Sequence, residues 1–200
     1  MNRYHLHLIV LFITLICAGC THLAPSAPPS NTSWQTREAL LSRIQGWQLE
    51  GKVGVQTSED SGSASVQWIK NQGRYSVSLL GPLGSGGLSI NGEPGKVVLT
   101  MSDGKKYTAN NPESLLAAQW GFNLPLSNLN YWIRGLPVPN MPAKTQFDNS
   151  HRLSDLVQQG WHVQFLSYTQ QDNIDLPSKL LITSQHLRAK IIIYSWKINV

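Results

Sequence analysis

Cysteine is nearly absent from this chain. The only two in 200 residues are Cys17 and Cys20, both close to the amino terminus, so the remaining sequence has no thiol with which to form a disulfide. A disulfide-stapled secreted fold is therefore excluded, and the stability of the folded part has to come from packing. A hydrophobic content of 41% is sufficient for one globular domain with a substantial core.

Charge is also scarce, at 14% of the residues, and the net charge of +5 is spread along the sequence rather than clustered. Scattered basic residues do not make the patch that nucleic acid requires, so no nucleic-acid partner is expected. They are compatible with weak attraction to anionic lipid head groups.

Catalytic and metal-binding patterns are missing as well. The four histidines after the first 20 residues have no metal-pair spacing, and the one adjacent acidic pair, Glu59-Asp60, lies in a predicted turn. Ser85 lacks the first glycine of a nucleophile elbow, because Leu83 stands there. The sequence predicts no catalytic residue, no metal site and no cofactor, and the protein is not expected to be an enzyme.

No apolar run is long enough to span a membrane as a helix. The longest, Leu8 to Ile16, follows Arg3 and is succeeded by the small residues Ala18 and Gly19, which is typical of a secretion signal. The segment from Leu15 to Cys20 resembles a bacterial lipobox. We therefore predict a lipoprotein signal peptide at residues 1–19 and lipid attachment at Cys20.

The residues after Cys20 predict both a destination and a tether. Thr21 stands where an aspartate would favour retention in the inner membrane, so we expect an anchor in the cell outer membrane facing the periplasm. Residues 20–32 are rich in proline and small polar residues and read as a flexible tether. Residues 33–200 are predicted to form a single domain, which we expect to be monomeric.

The domain opens with a predicted amphipathic helix, for which Thr32 and Gln35 resemble a capping box. Period-two alternation then predicts six strands between Trp47 and Tyr107. Two short helices are expected next, one starting at Asn111-Pro112 and one ending at Gly135, before five more strands. About eleven antiparallel strands must curl to limit their edges. The expected fold is mainly β: a curved, half-open antiparallel barrel with short helices as a lid over a hydrophobic cavity.

Alternation also indicates which side chains face inward. The candidates for lining a hydrophobic cavity are Trp47, Val53, Val55, Val66, Trp68, Tyr75, Val77, Leu79 and Ile90 on strands, with Leu116, Trp120, Trp132 and Ile133 on the lid helices. The same residues would serve equally well as a solid core, and the sequence leaves both possibilities open.

Leu83 is set in a loop of glycine and proline between two predicted strands. Pro82 fixes its own φ and Gly84 permits conformations closed to other residues, so the loop can hold a shape without packing inward. Two readings remain: a leucine tucked back under the loop, or an exposed leucine that contacts a membrane.

Four segments in this order, behind a lipobox, resemble the LolB family of outer-membrane lipoprotein receptors. They are Gly81–Ser85, Asn91–Val97, Gly104–Ala109, and Leu124–Leu126 with Trp132–Pro137. The resemblance implies an open eleven-stranded barrel that holds lipoprotein acyl chains and passes lipoproteins from the periplasmic carrier LolA into outer-membrane lipid. It also implies that Leu83, with Pro82 and Gly84, forms a membrane insertion loop.

Two other functions are compatible with the residues alone. One is a structural or scaffolding outer-membrane lipoprotein whose barrel is solid. The other is a lipid-anchored hydrolase that uses Ser85. Uptake of a fluorescent fatty acid would distinguish a receptor with a cavity from a scaffold with a filled core.

Overall fold

A computed structural model describes residues 32–84, 86–120 and 124–199. These residues include three α-helices and eleven β-strands. The helices are α1 (Trp34–Arg43), α2 (Pro112–Trp120) and α3 (Leu126–Trp132). The strands are β1 (Gly46–Thr57), β2 (Ser61–Asn71), β3 (Arg74–Leu80), β4 (Leu88–Glu93), β5 (Lys96–Met101), β6 (Lys106–Ala109), β7 (Lys144–Phe147), β8 (Leu153–Gln158), β9 (Trp161–Gln171), β10 (Ile174–Thr183) and β11 (Leu187–Asn199). The expected mainly β fold of eleven strands is confirmed.

All eleven strands form one antiparallel sheet in the order β6-β5-β4-β3-β2-β1-β11-β10-β9-β8-β7. The first and last strands pair in the middle of the sheet, so its two edges are β6 and β7. These edge strands are consecutive in sequence and are joined by the segment that contains α2 and α3. The helices therefore lie in the connection between the two edges of an unclosed sheet, as the sequence predicted for a lid.

A β-bulge bends the sheet where β1 meets β11. Glu50 pairs with Ser195 and Gly51 with Ile193, which leaves Tyr194 as the extra residue. Bulges bend a strand and increase its twist. Gly51 is required there, because a Cβ atom on it would lie 2.1 Å from the carbonyl oxygen of Ile192. This close approach allows the central pair of strands to curve around a concave face.

The helix boundaries follow from local capping, with one correction. The N-cap of α1 is Ser33, whose Oγ accepts a hydrogen bond from the Thr36 amide, rather than Thr32. Asn111 caps α2 as predicted, because its Oδ1 accepts from the Ser114 amide. Gly135 ends the turn after α3 in the left-handed region, with φ of 79°, which glycine adopts without strain.

Candidate functional site

One row on the inner face of the sheet carries polar side chains. Cross-strand pairing aligns Lys70 and Tyr75 in that row with Trp47, Gly92 and Val97, and we call it the polar row after its first two members. The next row toward the β3–β4 connection is entirely apolar, with Leu49, Trp68, Val77 and Ile90. The row after that carries Val66, Leu79 and Leu88, and beyond it β1 contributes Val53 and Val55.

A cavity of about 270 Å³ lies against these apolar rows. Every residue that lines it is hydrophobic: Leu49, Val53, Val55, Val66, Trp68, Val77, Leu79, Leu88, Ile90, Leu116, Leu124, Leu126, Leu129, Ile133, Ala189 and Ile191. Its strand residues near the β3–β4 connection, such as Val53, Val55 and Leu79, are only half-buried. The cavity is therefore closed beside Trp68 and more accessible at its other end, beside Leu79 and Leu88.

Helix α3 and the residues before it close the cavity on the side opposite the sheet. Leu126, Leu129 and Ile133 recur at intervals of three and four, so they form one apolar stripe on the helix. Leu116 of α2 extends this stripe, and Leu124 lies between the two helices. A lid of this composition excludes water from the cavity without offering a polar partner to a ligand.

Gln158 ties the lid segment to strand β8. This side chain is 1% exposed. Its Oε1 accepts from Trp132 Nε1 at 3.0 Å and from the Val138 amide at 2.9 Å, and its Nε2 donates to the carbonyls of Val138 and Met141. All of its hydrogen-bonding capacity is used, as a buried amide requires.

Arg134 joins the end of the lid to α1. Its Nη1 donates to the carbonyl oxygens of Leu41 and Ile44, and its Nε donates to that of Asn130. The Leu41 and Ile44 carbonyls belong to the end of α1, where the Leu41 carbonyl also accepts from the Ile44 amide at 3.3 Å and carbonyls lack the full set of helical partners. Burial lowers the pKa of Arg134, and its charge is compensated by peptide dipoles. The sequence motif Trp132–Pro137 gave no indication of this structural role.

Nine of the predicted cavity residues surround the cavity. They are Val53, Val55, Val66, Trp68, Val77, Leu79, Ile90, Leu116 and Ile133. Three other predicted positions fall on residues or side chains outside the described part of the chain: Cys20, the side chain of Leu83 and the side chain of Trp120. The backbone of Pro82–Gly84 is described and forms a single 3₁₀ turn between β3 and β4.

Three predicted lining residues lie elsewhere. Trp47 packs edge-on against Trp68 and Trp196, with ring centroids 5.1 and 5.6 Å away, and so fills the closed end of the concave face. Trp132 is fully buried on the other flank of α3, where it bonds to Gln158 and its ring centroid lies 6.3 Å from that of Trp161.

Tyr75 is the third. Its ring lies across Gly92, where a Cβ would come within 2.2 Å of it, and it belongs to the polar row with Lys70. Burial, with a smaller contribution from the Glu113 carboxylate, raises the pKa of Tyr75 to about 12, so its hydroxyl stays protonated.

Seven lining residues were absent from the prediction: Leu49, Leu88, Leu124, Leu126, Leu129, Ala189 and Ile191. The alternation of β1 already indicated Leu49, and helical spacing indicated Leu126 and Leu129. Ala189 and Ile191 become neighbours of the cavity only because β11 returns to pair with β1, which no local pattern reveals.

The size of the cavity sets what it can hold. An apolar cavity of about 150 Å³ in another protein accommodates benzene, so a volume of about 270 Å³ corresponds to roughly a dozen carbon atoms. A single alkyl chain of that length fits. Several long chains would require the lid to move.

The described residues lack two other kinds of functional feature. Residues 32–84, 86–120 and 124–199 contain no group of three His, Cys, Asp or Glu side chains able to hold a metal ion. In the same residues no helix has both the length and the apolar character needed to cross a membrane. The fold and site thus define a binding protein for apolar ligands, built as a half-open antiparallel barrel beneath a helical lid.

Sequence comparisons identify the family. The profile described as Outer membrane lipoprotein LolB matches residues 45–196. The outer-membrane lipoprotein LolB of Pseudomonas putida KT2440 is 38% identical over 195 residues, covering 96% of this chain and 95% of that protein. The one from Pseudomonas syringae pv. syringae B728a is 37% identical with the same coverage. The chain belongs to the LolB family of outer-membrane lipoproteins, which confirms the resemblance drawn from its motifs.

Solved structures of very different sequence share the fold. A Vibrio parahaemolyticus domain, proposed to be an outer-membrane lipoprotein-sorting protein, superposes with a TM-score of 0.55 over 83% of this chain and 90% of its own length. A DUF1329 family protein from Desulfovibrio piger gives 0.54 over 87% and 95%. Both are 7% identical to this chain, so the likeness concerns the fold alone.

Proposed function

We propose that this outer-membrane lipoprotein receives other lipoproteins from the periplasmic carrier LolA and places them in the outer membrane by passing their acyl chains through its cavity. The observation that carries the proposal is the lining of that cavity, which is apolar at every position. Family membership supports a receptor for lipoproteins rather than an enzyme or a scaffold.

The free energy of exposing an acyl chain to water explains why a lipoprotein receptor needs such a cavity. A chain of about 16 carbons exposed to water costs on the order of 12 kcal/mol, at about 0.8 kcal/mol per methylene. Cargo can therefore move at a useful rate only between apolar sites that nearly touch. Transfer of the cargo in one direction can result from progressively stronger binding from carrier to receptor to membrane, and it then needs no bound nucleotide.

The proposal is tested by placing a charge at the accessible end of the cavity. Val55→Glu puts a carboxylate on a half-buried lining position, where a bound chain would deprive it of water. We expect at least about a tenfold loss of affinity for a fluorescent fatty acid, and a matching loss of cargo uptake from lipoprotein-loaded LolA.

The matched control is Gln56→Glu, which adds the same charge at the next residue, an exposed position outside the cavity lining. It should bind the probe as the parent does. Equal affinities for parent and Val55→Glu, with both folded by thermal melting, would contradict an acyl-binding role for the cavity.

Anchoring and delivery are further parts of the proposal. We assign lipid attachment to Cys20, the tether to residues 20–32 and the folded receptor to residues 33–200. Burial of a single leucine contributes only about 1.5 to 3 kcal/mol, so the acyl groups on Cys20 would anchor the protein while Leu83 contacts the bilayer surface. The turn Pro82–Gly84 lies at the accessible end of the cavity, where such contact would be useful.

Leu83→Glu tests the delivery step separately from capture. The variant should take cargo from LolA as the parent does but incorporate it poorly into liposomes, because a charge is costly to dehydrate. Leu166→Glu, the same change at an exposed leucine of β9, should leave both steps intact. Equal impairment of capture and incorporation by Leu83→Glu would refute a specific role in delivery.

A further inference from the structure

A second space, of about 360 Å³, lies beyond Trp68 from the apolar cavity. It is bounded by the polar row of the sheet and by the first residues of the lid, and we name it the polar chamber. Trp68 and Leu126 line both spaces, so one side chain from the sheet and one from the lid form their common wall.

The polar chamber collects buried polar atoms that lack hydrogen-bond partners among the described residues. They are Trp68 Nε1, Tyr75 Oη and Asn130 Oδ1, and all three residues line the chamber. Trp68 is only 4% exposed. Native proteins satisfy nearly all such atoms, so three in one chamber indicate a missing polar occupant.

The chemistry of these atoms limits what the occupant can be. The indole N–H is a donor only and the Tyr75 hydroxyl is a protonated donor, so two of the three unpaired atoms require an acceptor, while Asn130 Oδ1 requires a donor such as a water or an amide N–H. Lys70 adds a half-buried ammonium group.

Charge is balanced around the chamber. Lys70 and Glu93 both line the chamber, and Glu93 pairs with Arg74 at 3.6 Å. Burial and the nearby charge of Arg134 lower the pKa of Lys70, and Glu113 lies near Tyr75 while accepting a hydrogen bond from the Ser127 amide. Acidic and basic groups are thus both present, which favours an uncharged acceptor over an anion.

We infer that the polar chamber binds the ester or amide carbonyl at the head of an acyl chain whose hydrocarbon lies in the adjacent apolar cavity. This rests on the proposed function and deepens it, because it orients the ligand. The carbonyl lies beyond Trp68 and the chain extends toward Leu79 and Leu88. A ligand that occupies both spaces passes between Trp68 and Leu126, so its entry requires these two side chains to move apart.

The test compares two probes that differ only in the carbonyl group. One is 1-dodecanoylglycerol, an ester, and the other is 1-O-dodecylglycerol, its ether analogue. Each competes with a fluorescent fatty acid for binding to the full-length protein. We expect the ester to bind about tenfold more tightly than the ether, because the ether leaves the buried donors unpaired. Dodecanoate should bind no more tightly than the ester.

Tyr75→Phe removes one donor while keeping the ring against Gly92. In this variant the ratio of ester affinity to ether affinity should fall at least about threefold, while the affinity for the ether stays unchanged. Because it also removes an unpaired buried hydroxyl, the ligand-free variant should melt at a higher temperature than the parent. Tyr194→Phe, the same change on a side chain that is 66% exposed, should alter neither property.

The outcomes separate this inference from the proposed function. Equal binding of ester and ether by the parent, or an equal loss of both in Tyr75→Phe, would mean that ordered water alone fills the chamber, and would overturn the inference while leaving the receptor function intact. Stronger binding of dodecanoate than of the ester would overturn it in favour of an anion site. Failure of both glycerol probes and of the fatty acid to bind would overturn the proposed function as well.

Discussion

Gln158 shows how one side chain fixes the lid. It lies on β8 and forms hydrogen bonds with the indole of Trp132 and with the backbone of Val138 and Met141. These bonds serve the irregular segment after α3 as a neighbouring strand would serve a strand. A buried amide with four partners confers a single geometry, because any shift of the lid would leave several polar groups unpaired at once.

Gln158→Met tests this role with a side chain of similar size and no hydrogen bonds. The orphaned groups of Trp132, Val138 and Met141 each carry a desolvation penalty, so we expect the free energy of unfolding to fall by about 3 kcal/mol in urea titration. Gln67→Met, the same change on the exposed face of β2, should stay within about 0.5 kcal/mol of the parent. Similar values for the two variants would show that the Gln158 contacts are not stabilising.

At the scale of elements, the pairing of β1 with β11 determines the curvature of the sheet. The bulge at Tyr194 and the absence of a side chain at Gly51 allow the carbonyl of Ile192 to approach β1 closely. Without that approach the two strands could not remain paired through the bend, and the concave face would open.

Gly51→Ala should therefore disrupt the centre of the sheet. The new methyl group would meet backbone rather than a flexible side chain, and we expect a loss of about 3 kcal/mol or more in the free energy of unfolding. Gly54→Ala is the matched control on the same strand, because its Cβ would meet nothing closer than the Gly62 carbonyl oxygen at 3.9 Å. Two variants of equal stability would contradict the assignment of Gly51 to the bulge.

At the scale of the whole molecule, the resting cavity has a limited capacity. Because about 270 Å³ corresponds to roughly a dozen carbons, affinity for fatty acids should rise about fourfold per methylene up to that length and then level off. Competition with a series from 6 to 18 carbons measures the break. A rise that continues unchanged to 18 carbons would show that the lid opens during binding of a single chain.

The alternation of the strands and the N-cap of α2 were readable from the sequence, because both depend on residues close together along the chain. The fold class and seven lining residues on strands followed from that alternation once the sheet was assumed to curl, and helical spacing supplied Leu116 and Ile133. Trp132 was misplaced for a related reason: helical spacing locates an apolar stripe but does not decide which flank of a narrow helix meets the sheet and which meets β8.

The sequence by itself determined the number of strands, their succession along the chain, the helical segment between the sixth and seventh strands and the apolar character of the inner face, because period-two alternation and turn residues act locally. Only the tertiary structure decided that the space beside Trp68 stays open while Trp47 fills the closed end, that Gln158 and Arg134 secure the lid, and that Tyr75 belongs to a polar chamber. Those outcomes depend on register and on contacts between residues distant in sequence, such as Gln158 with Trp132 and Arg134 with Leu41, and no local pattern specifies them.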